Sequence, residues 1–188
     1  MSRSANAGQR DRGKAVGSSV SILPITAGRR PGVLALRVQP EHKPFVLPPS
    51  VVLPRSEVAP TEHPYAICAQ DGAPVGFLAV EELPNSGIPE ATTVLLRGFM
   101  IGADHQGRGY ARQALHVLPA ALVEDFPCLC AVRLSVAVSN IAARILYESA
   151  GFEEVGVPPA SGRGGKELLF EQLVDGPRWM ADGEGKDG

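Results

Sequence analysis

Cysteine is scarce in this 188-residue chain and odd in number: Cys68, Cys128 and Cys130. No disulfide framework is expected, and Cys128-Leu129-Cys130 is too closely spaced to serve a structural zinc site by itself. The three read as free thiols of a reducing compartment. The four histidines, His42, His63, His105 and His116, form neither HxxxH nor HExxH, so no metal is expected. Long apolar runs are missing too. No stretch approaches the roughly 20 residues that cross a bilayer, and the basic opening segment lacks the apolar core of a secretory signal. A formal charge of only −2 offers nucleic acid no electrostatic footprint. The expectation is a soluble, cytoplasmic protein with no nucleic-acid and no membrane partner.

What is present is ordinary globular usage, with 44% hydrophobic and 20% charged residues. This length suits one domain with a real core. Residues 1–19 hold almost no large apolar side chain and cannot offset the entropy of ordering, so they are expected to be a disordered arm. Residues 177–188 are expected to be a flexible tail, which leaves 20–176 as the folded domain.

Within that domain the pattern predicts a strand at 20–25 and a short helix around 33–38. The prolines between Pro44 and Pro64 are frequent enough to predict an extended loop with at most a short helix. Two runs, 65–70 and 74–81, joined by Asp71-Gly72-Ala73, predict a hairpin. A strand is expected at 93–101 and a helix from about Arg108, with Ala111, Ala114, Leu115, Leu118 and Leu122 on one buried face and a kink or new turn at Pro119. A strand at 131–136 follows, then a helix at 141–150 ended by Gly151. Short strands at 152–155 and 167–173 are joined by a loop over 158–165. Strands early and alternation late imply an α/β (α+β) fold with a mixed central sheet and helices on both faces.

The chemistry-bearing stretch is Gly102-Ala103-Asp104-His105-Gln106-Gly107-Arg108-Gly109-Tyr110-Ala111-Arg112, between a strand and a helix. Such a turn presents unpaired amides and the positive helix end, which suits a phosphate or pyrophosphate. It lacks the GK[ST] ending of a Walker loop, and Arg112 stands where the third glycine of a dinucleotide fingerprint belongs. What fits is Gln106-x-x-Gly109-x-Ala111, which resembles the Q/R-x-x-G-x-G/A signature of the GNAT superfamily of N-acetyltransferases. A second segment resembles the same family: Leu134 to Phe152, with Asn140 opening a helix that carries Leu146-Tyr147-Glu148 and ends in Gly151-Phe152. Asn140 and Tyr147 are seven apart, close to two helical turns, and so lie on nearly one face. Phe99-Met100-Ile101 ahead of the glycine turn further resembles bacterial polyamine-type members. Gly102 and Asp104 depart from that group, which commonly has an acidic and a basic residue there.

The resemblance implies a mostly antiparallel sheet of about seven strands, with acetyl-CoA as cosubstrate. Its pyrophosphate would rest on Gln106, Gly107, Arg108, Gly109, Tyr110, Ala111 and Arg112, and its pantetheine arm would run beside Phe99, Met100 and Ile101, with Asn140 and Tyr147 completing the site. A small-molecule amine would attack the thioester directly, a backbone amide near Met100 or Ile101 would stabilise the oxyanion, and Tyr147 would protonate the departing thiolate. Glu81 or Glu82 would take the proton of the amine. The acceptor surface would be built from 29–64 and 161–166, where Glu57 and Glu62, with Glu81 and Glu82, favour a cationic acceptor. A non-catalytic acyl-CoA-binding module of the same fold is the alternative, and a homodimer is the commonest assembly to expect.

Overall fold

In the computed structural model, which describes residues 20–83, 91–158 and 166–174, layering follows from alternation in two central strands. In β2 (Glu62–Ala69), Tyr65 and Ile67 point into one core, and Ala66 and Cys68 into another. In β3 (Pro74–Glu82), Leu78 and Val80 face the first core and Phe77 and Ala79 the second. A strand apolar on both sides must be covered on both faces. The larger core is closed by α3 (Tyr110–Leu122), which buries Ala114, Leu115, Leu118 and Leu122, and by α4 (Ile141–Ser149). The smaller is closed by α1 (Arg30–Leu34) through Val33 and by α2 (Pro49–Ser56) through Leu53.

The remaining strands are β1 (Val20–Pro24), β4 (Thr92–Ile101), β5 (Leu129–Ala137), β6 (Glu153–Gly156) and β7 (Glu167–Leu173). Seven strands form one sheet in the order β1-β2-β3-β4-β5-β7-β6. Every neighbouring pair is antiparallel except β4 and β5, which run parallel. The fold is thus the expected mixed, mostly antiparallel α/β arrangement with helices on both faces.

Local departures from expectation have local causes. The first helix starts earlier, at Arg30, because Pro31 in its first turn has φ preset for a helix and its missing N–H is not needed there. The proline-rich stretch holds an eight-residue helix for the same reason, with Pro49 leading it and only Pro54 inside. The strand expected at 65 begins at Glu62 and includes Pro64, which faces β3 alone because β1 pairs no further than Tyr65. Helix α3 begins at Tyr110, since Gly109 has a left-handed φ of 77°. It continues through Pro119, whose carbonyl still accepts from Val123 N–H at 3.1 Å. The N-terminal arm, the C-terminal tail and most of the 158–165 loop lie outside the described residues. No described helix is long and apolar enough to cross a membrane.

Candidate active site

The parallel pair at the centre of the sheet parts company halfway along. Pairing of β4 with β5 ends at Leu96 and Leu134. Beyond that, β4 pairs only with β3, and β5 only with β7. The divergence coincides with a bulge: Ala79 faces Arg97 but Phe77 faces Met100, so β4 holds one extra residue, and Gly98 there adopts a φ of 60° that disfavours side chains. On the opposite strand Gly76 is compelled by space, since a Cβ would lie 2.6 Å from the Met100 carbonyl oxygen. Two strands that diverge leave backbone groups facing a gap. Gly102 N–H donates to Val75 O at 2.9 Å, toward β3, so the Ile101 carbonyl and its own N–H point the other way, into the gap.

The gap opens into a cleft of about 640 Å³. Phe99, Met100 and Ile101 line one side of it, and Ser135, Val136 and Ala137 line the other. Gln106, Gly107, Gly109, Tyr110, Ala111 and Arg112 close one end. Gly107 and Gly109 have φ of 75° and 77°, left-handed conformations that fold the loop back onto α3. No side chain caps α3 and its first turn holds no acidic residue. The first helical amides are therefore available to an anion, with the Arg112 guanidinium beside them. A glycine loop with free amides, opening on a cleft, fits the diphosphate of a coenzyme A thioester.

On the other bank, Asn140 caps α4 by accepting from Ala143 N–H at 3.2 Å and also lines the cleft. Two turns on, the Tyr147 ring leans against Phe99 at 6.3 Å and Phe152 at 5.9 Å between centroids. Its hydroxyl makes no hydrogen bond to another described residue. Burial pushes its pKa up to about 12, so it keeps its proton throughout the neutral range.

The remaining wall includes Val38, His42, Pro44, Phe45 and Val46 from the α1–α2 connection, which fall within the expected acceptor segment 29–64 without having been singled out, and Glu167 at the start of β7, which sequence reasoning missed. Val38, Val46 and Met100 pack with the smaller core, whereas Phe99, Tyr110 and Tyr147 pack with the larger. The cleft therefore runs through the sheet from one face to the other. Glu167 reaches it only because it pairs with Ala137 across β5 and β7, a relation invisible in local sequence. The wall from the α1–α2 connection is tied to the glycine loop: Ala103 N–H donates to Arg37 O at 2.9 Å, and Arg37 forms an ion pair with Asp104 at 3.0 Å. A Cβ on Gly102 would come within 2.8 Å of Leu36 Cδ2. The two positions that depart from the polyamine-type pattern are thus the two on which this wall is seated.

Three expected contributors stand apart. Arg108 does not line the cleft; its guanidinium donates to the Asp104 carbonyl at 3.3 Å. Glu81 does not line it either, because it sits near the far end of β3, opposite Leu95, with its carboxylate ion-paired to Arg97. Glu82 is likewise outside, 2.8 Å from His63 Nε2. Neither carboxylate lines the cleft, so this geometry lends proton abstraction by Glu81 or Glu82 no support. Among the described residues no group of three His, Cys, Asp or Glu could hold a metal ion.

A sheet split between a parallel pair, a glycine turn at a helix N-terminus and a tyrosine facing the split define an acyltransferase of the GNAT type. Residues 28–152 match the Acetyltransferase (GNAT) family, and the chain belongs to it. It is 33% identical over 119 residues to the uncharacterized N-acetyltransferase YbbJ of Bacillus subtilis, a span of 62% of this chain and 74% of that protein. Its fold is similar to an aminoglycoside N(6')-acetyltransferase from Legionella pneumophila, with a TM-score of 0.65, 18% identity and coverage of 82% and 92% of the two chains. It is also similar to spermidine N-acetyltransferase from Vibrio cholerae, solved in complex with CoA and spermine, with a TM-score of 0.61, 19% identity and coverage of 83% and 96%.

Proposed function

We propose that this enzyme transfers the acetyl group of acetyl-CoA to a primary amine of a small molecule by direct attack of the amine on the thioester. The observation that carries the reading is the convergence of the Gly107–Gly109 turn, the β4–β5 split and the unbonded Tyr147 hydroxyl on one cleft. The amides of the turn and the first residues of α3 would hold the pyrophosphate, with Arg112 adding charge. The acyl arm would lie in the split, where the unpaired edge of β4 offers hydrogen bonds that β5 no longer takes. The Ile101 N–H is the amide we assign to the oxyanion, because it faces the gap while the carbonyl beside it is occupied by Gln106. Tyr147 would then protonate the thiolate as the C–S bond breaks. The enzyme's main contribution would be to hold amine and thioester in attack geometry.

Calorimetric titration with acetyl-CoA, wild type beside Gly109→Trp, tests this. Wild type should bind with a Kd of about 1 to 100 μM, a range matched to ordinary substrate levels. The variant, with circular dichroism confirming its fold, should show no binding. A folded wild type that binds no acetyl-CoA would overturn the reading.

A further inference from the structure

The identity of the amine is written in how the carboxylates are spent, an argument that rests on the acetyl-transfer reading above. Four acidic residues near the expected acceptor surface are paired: Glu57 with Arg30, Glu62 with Arg55, Glu81 with Arg97 and Glu82 with His63. A fifth, Glu41, is exposed and forms no ion pair with a described residue. None of them lines the cleft. Among the described residues the one carboxylate that does is Glu167, and it has neither an ion-pair nor a hydrogen-bond partner there.

The wall that the α1–α2 connection and the end of β4 contribute to the same cleft is mostly apolar. Val38, Pro44, Phe45, Val46 and Met100 contribute hydrocarbon and one aromatic ring. His42 adds no negative charge: the Gln106 amide nitrogen donates to the Ile101 carbonyl at 3.0 Å and lies 3.3 Å from His42 Nδ1. The Gln106 amide carries two N–H hydrogens, one for each partner, so Nδ1 accepts and the imidazole hydrogen sits on Nε2.

We infer that the acceptor is a primary monoamine on an apolar, ring-sized body, with the body packed against Phe45 and Val46 and the ammonium facing Glu167. A polyamine or an aminoglycoside carries several ammonium groups. Each one beyond the first would leave water for a cleft whose described lining offers no further carboxylate, an uncompensated desolvation. The similarity to proteins named for such substrates is a similarity of fold alone. In the reaction the ammonium first yields one proton to Glu167, which passes it to solvent. The neutral nitrogen forms the C–N bond, the C–S bond breaks, and Tyr147 protonates the sulfur. The second nitrogen proton restores the tyrosine, so the balance is one amide, one thiol and one proton released.

The test is an acceptor panel at saturating acetyl-CoA, followed by thiol release: phenethylamine and hexylamine against spermidine and an aminoglycoside. Phenethylamine should exceed spermidine in kcat/KM by about tenfold or more, the scale on which pocket contacts discriminate. Spermidine or the aminoglycoside matching or surpassing it would overturn the inference. So would a panel in which no monoamine reacts; if calorimetry still detects acetyl-CoA, the transfer reading survives that result, and if it does not, both fall. Phe45→Ala should raise the KM for phenethylamine about fivefold or more while leaving acetyl-CoA affinity unchanged. Glu167→Gln should raise acceptor KM and shift the pH profile of kcat/KM, with Glu167→Asp restoring part of each; an unmoved profile counts against the ammonium site.

Discussion

The side-chain nitrogen of Gln106 lies 3.3 Å from His42 Nδ1, joining the glycine turn to the opposite wall of the cleft across 64 positions of sequence. The same nitrogen caps the Ile101 carbonyl at 3.0 Å. One amide thus holds the turn, the end of β4 and the acceptor-side wall in register. Gln106→Ala should raise the KM for both substrates, and a double-mutant cycle with His42→Ala should give a coupling of about 0.5 to 1.5 kcal/mol. Additive effects would mean that the contact transmits nothing.

Tyr147→Phe keeps the ring packing against Phe99 and Phe152 and removes only the hydroxyl. Turnover should fall by about 10²-fold or more while calorimetric affinity for acetyl-CoA is retained, the scale of a lost proton donor. Unchanged turnover would exclude the acid role.

The raised Tyr147 pKa also has a stability consequence, and its sign is fixed. Burial holds the phenol at about 12 against an ordinary 10.0, so the folded protein binds that proton more tightly than the unfolded chain does. The contribution is fully present below pH 10 and is lost as pH rises toward 12. Tyr65, raised by burial and by its hydrogen bond to Asp125, acts in the same direction. The urea midpoint should fall across that alkaline window, and less steeply in Tyr147→Phe.

Glu81→Gln tests whether that carboxylate takes part in the reaction. With its carboxylate paired to Arg97 outside the cleft, the variant should keep the pH profile of kcat/KM in place and change kcat by less than about threefold. A profile that loses its acidic limb would restore Glu81 to the reaction.

Gly76→Ala probes the backbone approach behind the split. Its Cβ would meet the Met100 carbonyl oxygen at 2.6 Å and the Ile101 and Ile67 side chains at 2.8 and 2.9 Å. Denaturant unfolding should record a loss of about 1 to 3 kcal/mol, as for other overpacked sites. Gly107 has open space around it, so Gly107→Ala should cost only its left-handed φ, about 1 to 2 kcal/mol.

Much of this was legible in the chain because the signals are local. Alternating apolar residues marked β2 and β3, three-and-four spacing marked α3, and the left-handed glycines marked the turn that α3 begins from. Proline misled where its effect depends on position: Pro31 and Pro49 start helices that a count of prolines argues against. Of the expected site residues, those on the glycine turn other than Arg108, the end of β4 and one face of α4 come together, because each set is contiguous or lies on a single element.

The sequence by itself determined the glycine turn before α3 and the placing of Tyr147 two turns after Asn140, since backbone conformation and helical phase are set within a few residues. Tertiary structure alone decided which side chains of 29–64 and of β7 line the cleft. Whether a carboxylate is free or spent depends on which arginine or histidine folding brings beside it, and that set Glu81 against Arg97 and left Glu167 open to the cleft. Strand pairing and the docking of residues 37–46 on Gly102 and Asp104 are long-range packing outcomes, which no local pattern encodes.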